Sequence, residues 1–187
     1  LPADHPFHKA RVIPDGVQLP PIWLLGSSGA SAQFAGRLGV GYGFASHFSP
    51  TPPGPALEAY RESFQPSEEF PEPHVILAVS IICAETDEQA EYLSKSQDLM
   101  WVRLQRGELA RIPTPEEAAE YPYTPVDRSV IQGYRALAYI GSPDRIRNQI
   151  QELAEDTQAD EIMVSTLVHD PEARLRSYEL VAEALIG

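Results

Sequence analysis

Two short stretches of this 187-residue chain hold side chains whose type and spacing suit chemistry. The first is Gly26-Ser27-Ser28-Gly29-Ala30-Ser31, which follows an apolar run and opens a helical pattern. The leading backbone amides of a helix lack internal partners and carry partial positive charge, so such a turn attracts a phosphate. Gly26 and Gly29 let that group come close to the backbone, and the hydroxyls of Ser27, Ser28 and Ser31 add neutral donors. The stretch is neither GxGxxG nor a Walker loop, because no Gly-Lys-Ser/Thr occurs in it. A serine that merely caps the helix accounts for the same residues. The second stretch is Ala45-Ser46-His47-Phe48, which closes the next apolar run. Ligands of parallel α/β folds sit outside the carboxyl ends of strands, which puts Ser46 and His47 at a candidate site. An imidazole there can act as acid or base near neutral pH, or donate to a ligand carbonyl. A ring satisfied by backbone is the plainer alternative. In an alternating strand His47 shares a face with Gly43 and Ala45, small residues suited to a crowded interior.

The remaining reactive residue types add little. His5, His8, His74 and His169 fall in connectors or before strands and have no partner at metal-ligand spacing. No metal site is expected. Cys83 is the single cysteine and lies inside an apolar run, where a small buried hydrophobe is the natural reading and a disulfide is impossible within the chain. Trp23 and Trp101 occupy apolar-periodic segments and read as core. The chain has 14 Lys+Arg against 27 Asp+Glu, a net charge of −13, and a pI near 4.7. That balance argues against a nucleic-acid partner, whose phosphates are bound by Lys and Arg clusters. No apolar run is long enough to span a membrane. A lone cysteine with no targeting pattern favours the reducing cytoplasm.

The elements that must hold these residues alternate. Residues 1–20 carry no period and read as a connector, which suggests that further elements belong upstream. Pro21–Gly26 is an apolar strand, Ser28–Leu38 a helix stopped by Gly39, and Tyr42–Phe48 a second strand. Leu57, Tyr60 and Phe64 mark a helix face, and Val75–Ala84 is the strongest strand. Thr86-Asp87-Glu88-Gln89 reads as a reciprocal capping box for a helix running to Gly107. Residues 108–141, rich in proline, read as an insertion with local helix around Thr114-Pro115-Glu116-Glu117. Ser142-Pro143-Asp144 and Asp170-Pro171-Glu172 start two more helices, with Glu161–Leu167 as a strand between them. Ile146, Ile150 and Leu153 form the buried stripe of the first, and Leu175, Tyr178, Val181 and Leu185 that of the second. Four βα units predict one α/β domain with a parallel sheet, either an open doubly wound sheet or half of a (βα)₈ barrel. The connector-like start favours the half barrel.

PIWLLGSSGASAQFAGRLGVGYGFASHFSP (residues 21–50) resembles the luciferase-like flavin monooxygenase family, as does Tyr139-Ile140-Gly141-Ser142-Pro143-Asp144 with the closing strand–helix pair. The resemblance covers nearly the whole chain. It implies a TIM-barrel fold of which residues 1–187 hold the four C-terminal βα units. It also implies reduced FMN at the C-terminal face, with Gly26, Ser27, Ser28, Gly29 and Ser31 at the phosphate and Ser46 and His47 beside the ring. His47 would then be the catalytic residue. Residues 108–141 would correspond to the region that covers the substrate. The implied reaction is oxygenation of a small organic molecule by O₂, with electrons from a separate flavin reductase. An F420-dependent dehydrogenase or reductase on the same scaffold is the first rival, and a non-enzymatic module binding a phosphorylated ligand is the second. Half a barrel leaves open edges, so a dimer, or pairing with the absent N-terminal half, is expected, and the 187-residue chain alone is expected to be inactive.

Overall fold

The computed structural model describes residues 2–10, 14, 16, 17 and 20–187. The predicted connector is described only in part. Between Pro2 and Ala10 it runs as consecutive tight turns, with His5 N–H bonded to the Pro2 carbonyl and His8 N–H to that of His5. Residues 1, 11–13, 15, 18 and 19 of that segment lie outside the described residues.

Beyond it the described chain runs β1 (Trp23–Gly26), α1 (Gly29–Leu38), β2 (Gly41–Ala45), α2 (Pro53–Ser63), β3 (Val75–Cys83) and α3 (Asp87–Gln105). It continues through α4 (Pro115–Glu120), α5 (Pro125–Arg135), β4 (Ala138–Gly141), α6 (Pro143–Thr157), β5 (Glu161–Ser165) and α7 (Pro171–Leu185). All strand pairings are parallel. β1 pairs β2, and β2 pairs Val75–Ala78 of β3. β5 pairs Ile76–Ser80 and β4 pairs Ser80–Cys83. A strand has two edges. Residues 76–78 are bonded to both β2 and β5, and Ser80 to both β4 and β5, so β2 and β4 follow each other along one edge while β5 holds the other. The outer edges of β1 and β5 are free among the described residues.

One face of this sheet is the core. Leu24, Tyr42, Phe44, Val75, Leu77, Val79, Ile81, Ile162 and Val164 point into it by strict alternation, and α1, α2, α6 and α7 cover it. β1–α1, β2–α2 and β5–α7 are βα units as predicted, whereas the helix that packs on this face after β3 is α6 and not the one that starts at Thr86. Local chemistry sets the helix limits. Gly39 ends α1 in the left-handed conformation at φ 62°, which suits glycine. A Cβ on Gly36 would lie 2.7 Å from the Tyr60 carbonyl, so glycine is what lets α1 and α2 touch. Tyr60 Oη donates to the Val40 carbonyl at 2.9 Å and accepts from His74 N–H at 3.1 Å, tying α2 to the start of β3. Arg61 donates to the Thr157 and Gln158 carbonyls at 2.8 and 2.6 Å, which caps the end of α6.

On the other face Leu25 and Met163 are 70% and 56% exposed. Only its far end is covered. There Ile82 packs with Ala90 and Leu93 of α3, and the Gln97 amide donates to Ser80 Oγ at 3.0 Å. The helix starting at Thr86 therefore does not join the α1–α2–α6–α7 layer. It forms one body with α4, α5 and β4 over the carboxyl ends of the strands, so the excursion includes α3 as well as residues 108–141. β4 is a strand that periodicity does not reveal, because four residues are too few to display a period. Thr86 accepts from Gln89 N–H as expected, but the return bond from Gln89 is absent and the box is half made. The reciprocal box does form at Thr114–Glu117, and again at Thr124–Asp127. The stripe expected on α7 is corrected in part: Val181 is buried and Leu185 packs against the core, but Tyr178 is 39% exposed. The buried residues of α7 are Ser177, Leu180, Val181 and Ala184, while Leu175 is 62% exposed. Ser177 holds its place on that face because its Oγ accepts from Cys83 N–H at 2.9 Å.

Candidate active site at the carboxyl ends of the strands

Register brings the two stretches together. Gly26 is the partner of Phe44, so the turn after β1 lies beside the residues that follow β2. Neighbouring strands are about 4.8 Å apart.

Ser28 caps α1 with its hydroxyl accepting from Ser31 N–H at 3.3 Å, and Ser31 Oγ accepts from Ser28 N–H at 3.4 Å. Ser31 Oγ also donates to the Ser28 carbonyl at 2.8 Å, which commits its proton. Tyr42, buried in β2, sets its hydroxyl 3.0 Å from Ser31 Oγ and 3.3 Å from the Ser28 carbonyl. Burial raises the pKa of that hydroxyl, and its bonds to Ser31 and Ser28 only partly offset this, so it stays a protonated donor. Two amides of the first turn, Gly29 and Ala30, have no hydrogen-bond partner among the described residues. Both residues are exposed, and a Cβ on Gly29 would meet nothing within 4 Å. Ser27 is half-buried. The turn is thus a finished helix cap and also a pair of free, outward-facing amides.

His47 stands just past β2. Tyr42 N–H donates to the His74 carbonyl, so an unbroken ladder would bring Ser46 N–H to the Ala78 carbonyl. His47 N–H takes that place at 3.1 Å, and Ser46 N–H turns back to the Phe44 carbonyl. One extra residue is accommodated, and the alternation linking Gly43 and Ala45 to His47 stops at Ala45. His47 Nδ1 sits 3.4 Å from the same Ala78 carbonyl, and its ring packs edge-on to Phe48 at 4.5 Å. The imidazole occupies the gap on β3 where β2 ends and β4 begins. Ser46 is half-buried and lines a groove of about 290 Å³ with Pro50, Leu137 and Tyr139. Cys83 is 1% exposed, and burial pushes its thiol up to about 11, which suits a packing residue. No group of His, Cys, Asp and Glu fit to hold a metal occurs among the described residues.

Sequence reasoning missed Tyr42 and the Ser80–Gln97 pair. A tyrosine within a buried strand must place its hydroxyl on a partner, and that requirement is the clue that leads to the turn.

A parallel sheet with alternating helices, carrying an open helix N-terminus and a histidine at its strand ends, defines an α/β class of protein. The family model for luciferase-like monooxygenases matches residues 2–161, and the chain belongs to that family. A protein of Escherichia coli (strain K12) described as a luciferase-like monooxygenase is 36% identical over 188 residues, covering 99% of this chain and 56% of its own length. Among solved structures, apo-MsnO8 superposes with a TM-score of 0.79 at 35% identity, over 97% of this chain and 54% of that one. Two remoter structures share the fold. One is the FMN complex of the oxygenating constituent of 3,6-diketocamphane monooxygenase from Pseudomonas putida, with TM-score 0.52 and 21% identity over 89% of this chain and 49% of its own. The other is the coenzyme F420-dependent tetrahydromethanopterin reductase of Methanopyrus kandleri, with TM-score 0.54 and 17% identity over 89% and 50%. The chain spans about half the length of the relatives it matches. No described helix is long and apolar enough to cross a membrane.

Proposed function

We propose that this chain holds the phosphate of reduced FMN and belongs to a monooxygenase that directs O₂ to a small organic substrate. The observation that carries the reading is the pair of unpartnered amides at Gly29 and Ala30, in open space at the N-terminus of a ten-residue helix. A phosphate fits there because nothing from the chain competes for those donors. When bound, reduced FMN supplies the electrons that activate oxygen. The chain's own parts are to grip, orient and enclose. Gly29 and Ala30 N–H and the Ser28 hydroxyl bind the phosphate, while the α3–α5 body shuts water away from the strand ends. Ser46 and His47 stand next to the turn, with the Nδ1 of His47 occupied by a carbonyl and its Nε2 left to face a ligand. The FMN complex of the diketocamphane enzyme and the description of the Escherichia coli relative support this assignment.

A separate flavin reductase in the cytoplasm would deliver the reduced cofactor. The free edges of β1 and β5, flanked by exposed Leu25 and Met163, are where a second copy or further barrel strands would pair. Titration of the full-length protein with FMN, riboflavin and F420, followed by oxygen uptake with the reduced FMN complex, tests the reading. Tight FMN binding with uptake supports it. Preference for F420 without oxygen uptake would replace it with the dehydrogenase alternative, and binding of a phosphorylated ligand without either activity would leave the non-enzymatic module.

A further inference from the structure

Gly133 has no reason to be a glycine that the chain itself supplies. It sits inside α5, where glycine is about 1 kcal/mol less favourable than alanine. Its φ is not positive, and a Cβ built on it would meet nothing within 4 Å. Neither backbone geometry nor packing asks for it. It opens instead onto a groove of about 320 Å³, within the range of small-molecule sites, between α5, the end of α3 and the residues after β2. Phe48, Gln105, Val130, Tyr134 and Leu137 form much of its wall, and no charged side chain lines it. Phe48 packs against His47 on one side and lines this groove on the other. The tyrosine wall is stiff. Tyr134 stacks on Trp101 at 4.0 Å with planes 2° apart, and its hydroxyl accepts from the Gln105 amide at 3.0 Å, leaving its own proton free to donate.

We propose that this groove is the substrate subsite, that it takes an uncharged, compact apolar molecule carrying one acceptor oxygen, and that Gly133 sets the size it admits. The inference rests on the monooxygenase reading, because Phe48 is what joins the groove to His47. An uncharged lining binds an uncharged ligand, since an ion would be desolvated there with no counter-charge. The Tyr134 hydroxyl suits a carbonyl.

Cyclopentanone and cyclooctanone serve as probes in the full chain, with Trp101 fluorescence as the reporter and no flavin present. The wild type responds to both, and Trp101→Phe abolishes the response. Gly133→Leu weakens cyclooctanone by about tenfold or more and cyclopentanone less, whereas FMN affinity is unchanged. Gly133→Ala, which the helix favours, raises the melting temperature while weakening cyclooctanone to a smaller degree, so a misfolded leucine variant does not end the test. Undiminished cyclooctanone binding by Gly133→Leu, a response that persists in Trp101→Phe, or no wild-type response overturns the subsite. FMN titration reads the cofactor site separately: failure there with intact ketone binding strikes the function proposed above and not the groove.

Discussion

Replacing Ser28 by alanine and, separately, by glycine divides the two jobs of that side chain. Its oxygen accepts from Ser31 N–H at 3.3 Å, and that is the cap. Its proton has a different fate. Ser31 Oγ spends its own proton on the Ser28 carbonyl at 2.8 Å, so in the 3.2 Å contact between the two hydroxyls Ser28 is the donor. Turning this proton to a phosphate exchanges a long neutral hydrogen bond for one to an anion, which is worth about 1.5–3 kcal/mol. After the lost neutral bond of about 1 kcal/mol is subtracted, roughly 0.5–2 kcal/mol remains, so either substitution weakens FMN by about two- to thirtyfold. Riboflavin, which lacks the phosphate, is unaffected. The cap responds differently: alanine costs about 1 kcal/mol of stability and glycine only a few tenths. Flavin fluorescence titrations and thermal melts of the same three proteins give both numbers. Equal losses for FMN and riboflavin, or FMN losses that track melting temperature, would falsify the assignment of Ser28 to the phosphate.

Three further outcomes follow from the geometry. His47→Gln keeps FMN affinity but lowers turnover of the reduced complex by about a hundredfold or diverts oxygen to H₂O₂; unchanged turnover and coupling at neutral pH return His47 to a backbone-packing role. Asp127, held below the usual carboxylate value first by Thr124 N–H and then by the Thr124 hydroxyl and Arg106, stabilises the fold above its unfolded value near 3.8 and loses that contribution as pH falls through its lower folded value. Melts between pH 2 and 7 therefore show the gap between wild type and Asp127→Asn closing only at the acid end, and a constant gap refutes the reasoning. Cys83, with its thiol pushed up to about 11 and its side chain buried, does not react with a thiol reagent at pH 8 until the protein is unfolded; prompt labelling of the native protein contradicts this.

The alternation of strand and helix was legible because it rests on local chemistry. Val75–Cys83 is an apolar, largely β-branched run interrupted only by Ser80, and Ser28, Thr114 and Asp170 each cap the helix they precede. The turn at Gly26–Ser31 was legible for the same reason. What stayed hidden depends on three-dimensional partners. Ala90, Leu93 and Gln97 are buried on α3 at helical spacing, yet nothing in that spacing says that they cover the opposite face of the sheet from α1. Ser177 is buried on α7 while Leu175 is exposed, because the short serine hydroxyl accepts from the Cys83 amide. The direction of His47 turned on one extra residue after Ala45, and alternation cannot foresee a bulge. The Gly133 groove has no sequence mark at all, since its walls come from three separate elements.

β3 is bonded to β2, β4 and β5, and every other strand except β2 has a single neighbour. This unequal bonding sets an order of opening. Amide protons in β1 and β5, each with an open flank, exchange with solvent by fraying that leaves the remaining structure in place. Leu77 and Ala78 lie between β2 and β5, and Ser80 between β4 and β5, segments distant in the chain, so amides at the centre of β3 exchange only when the whole assembly comes apart. The slowest protons in a deuterium experiment should therefore belong to this one strand and report global stability. The α3–α5 body is anchored to this strand through the pairing of β4 with Ser80–Cys83, so its attachment depends on the same strand.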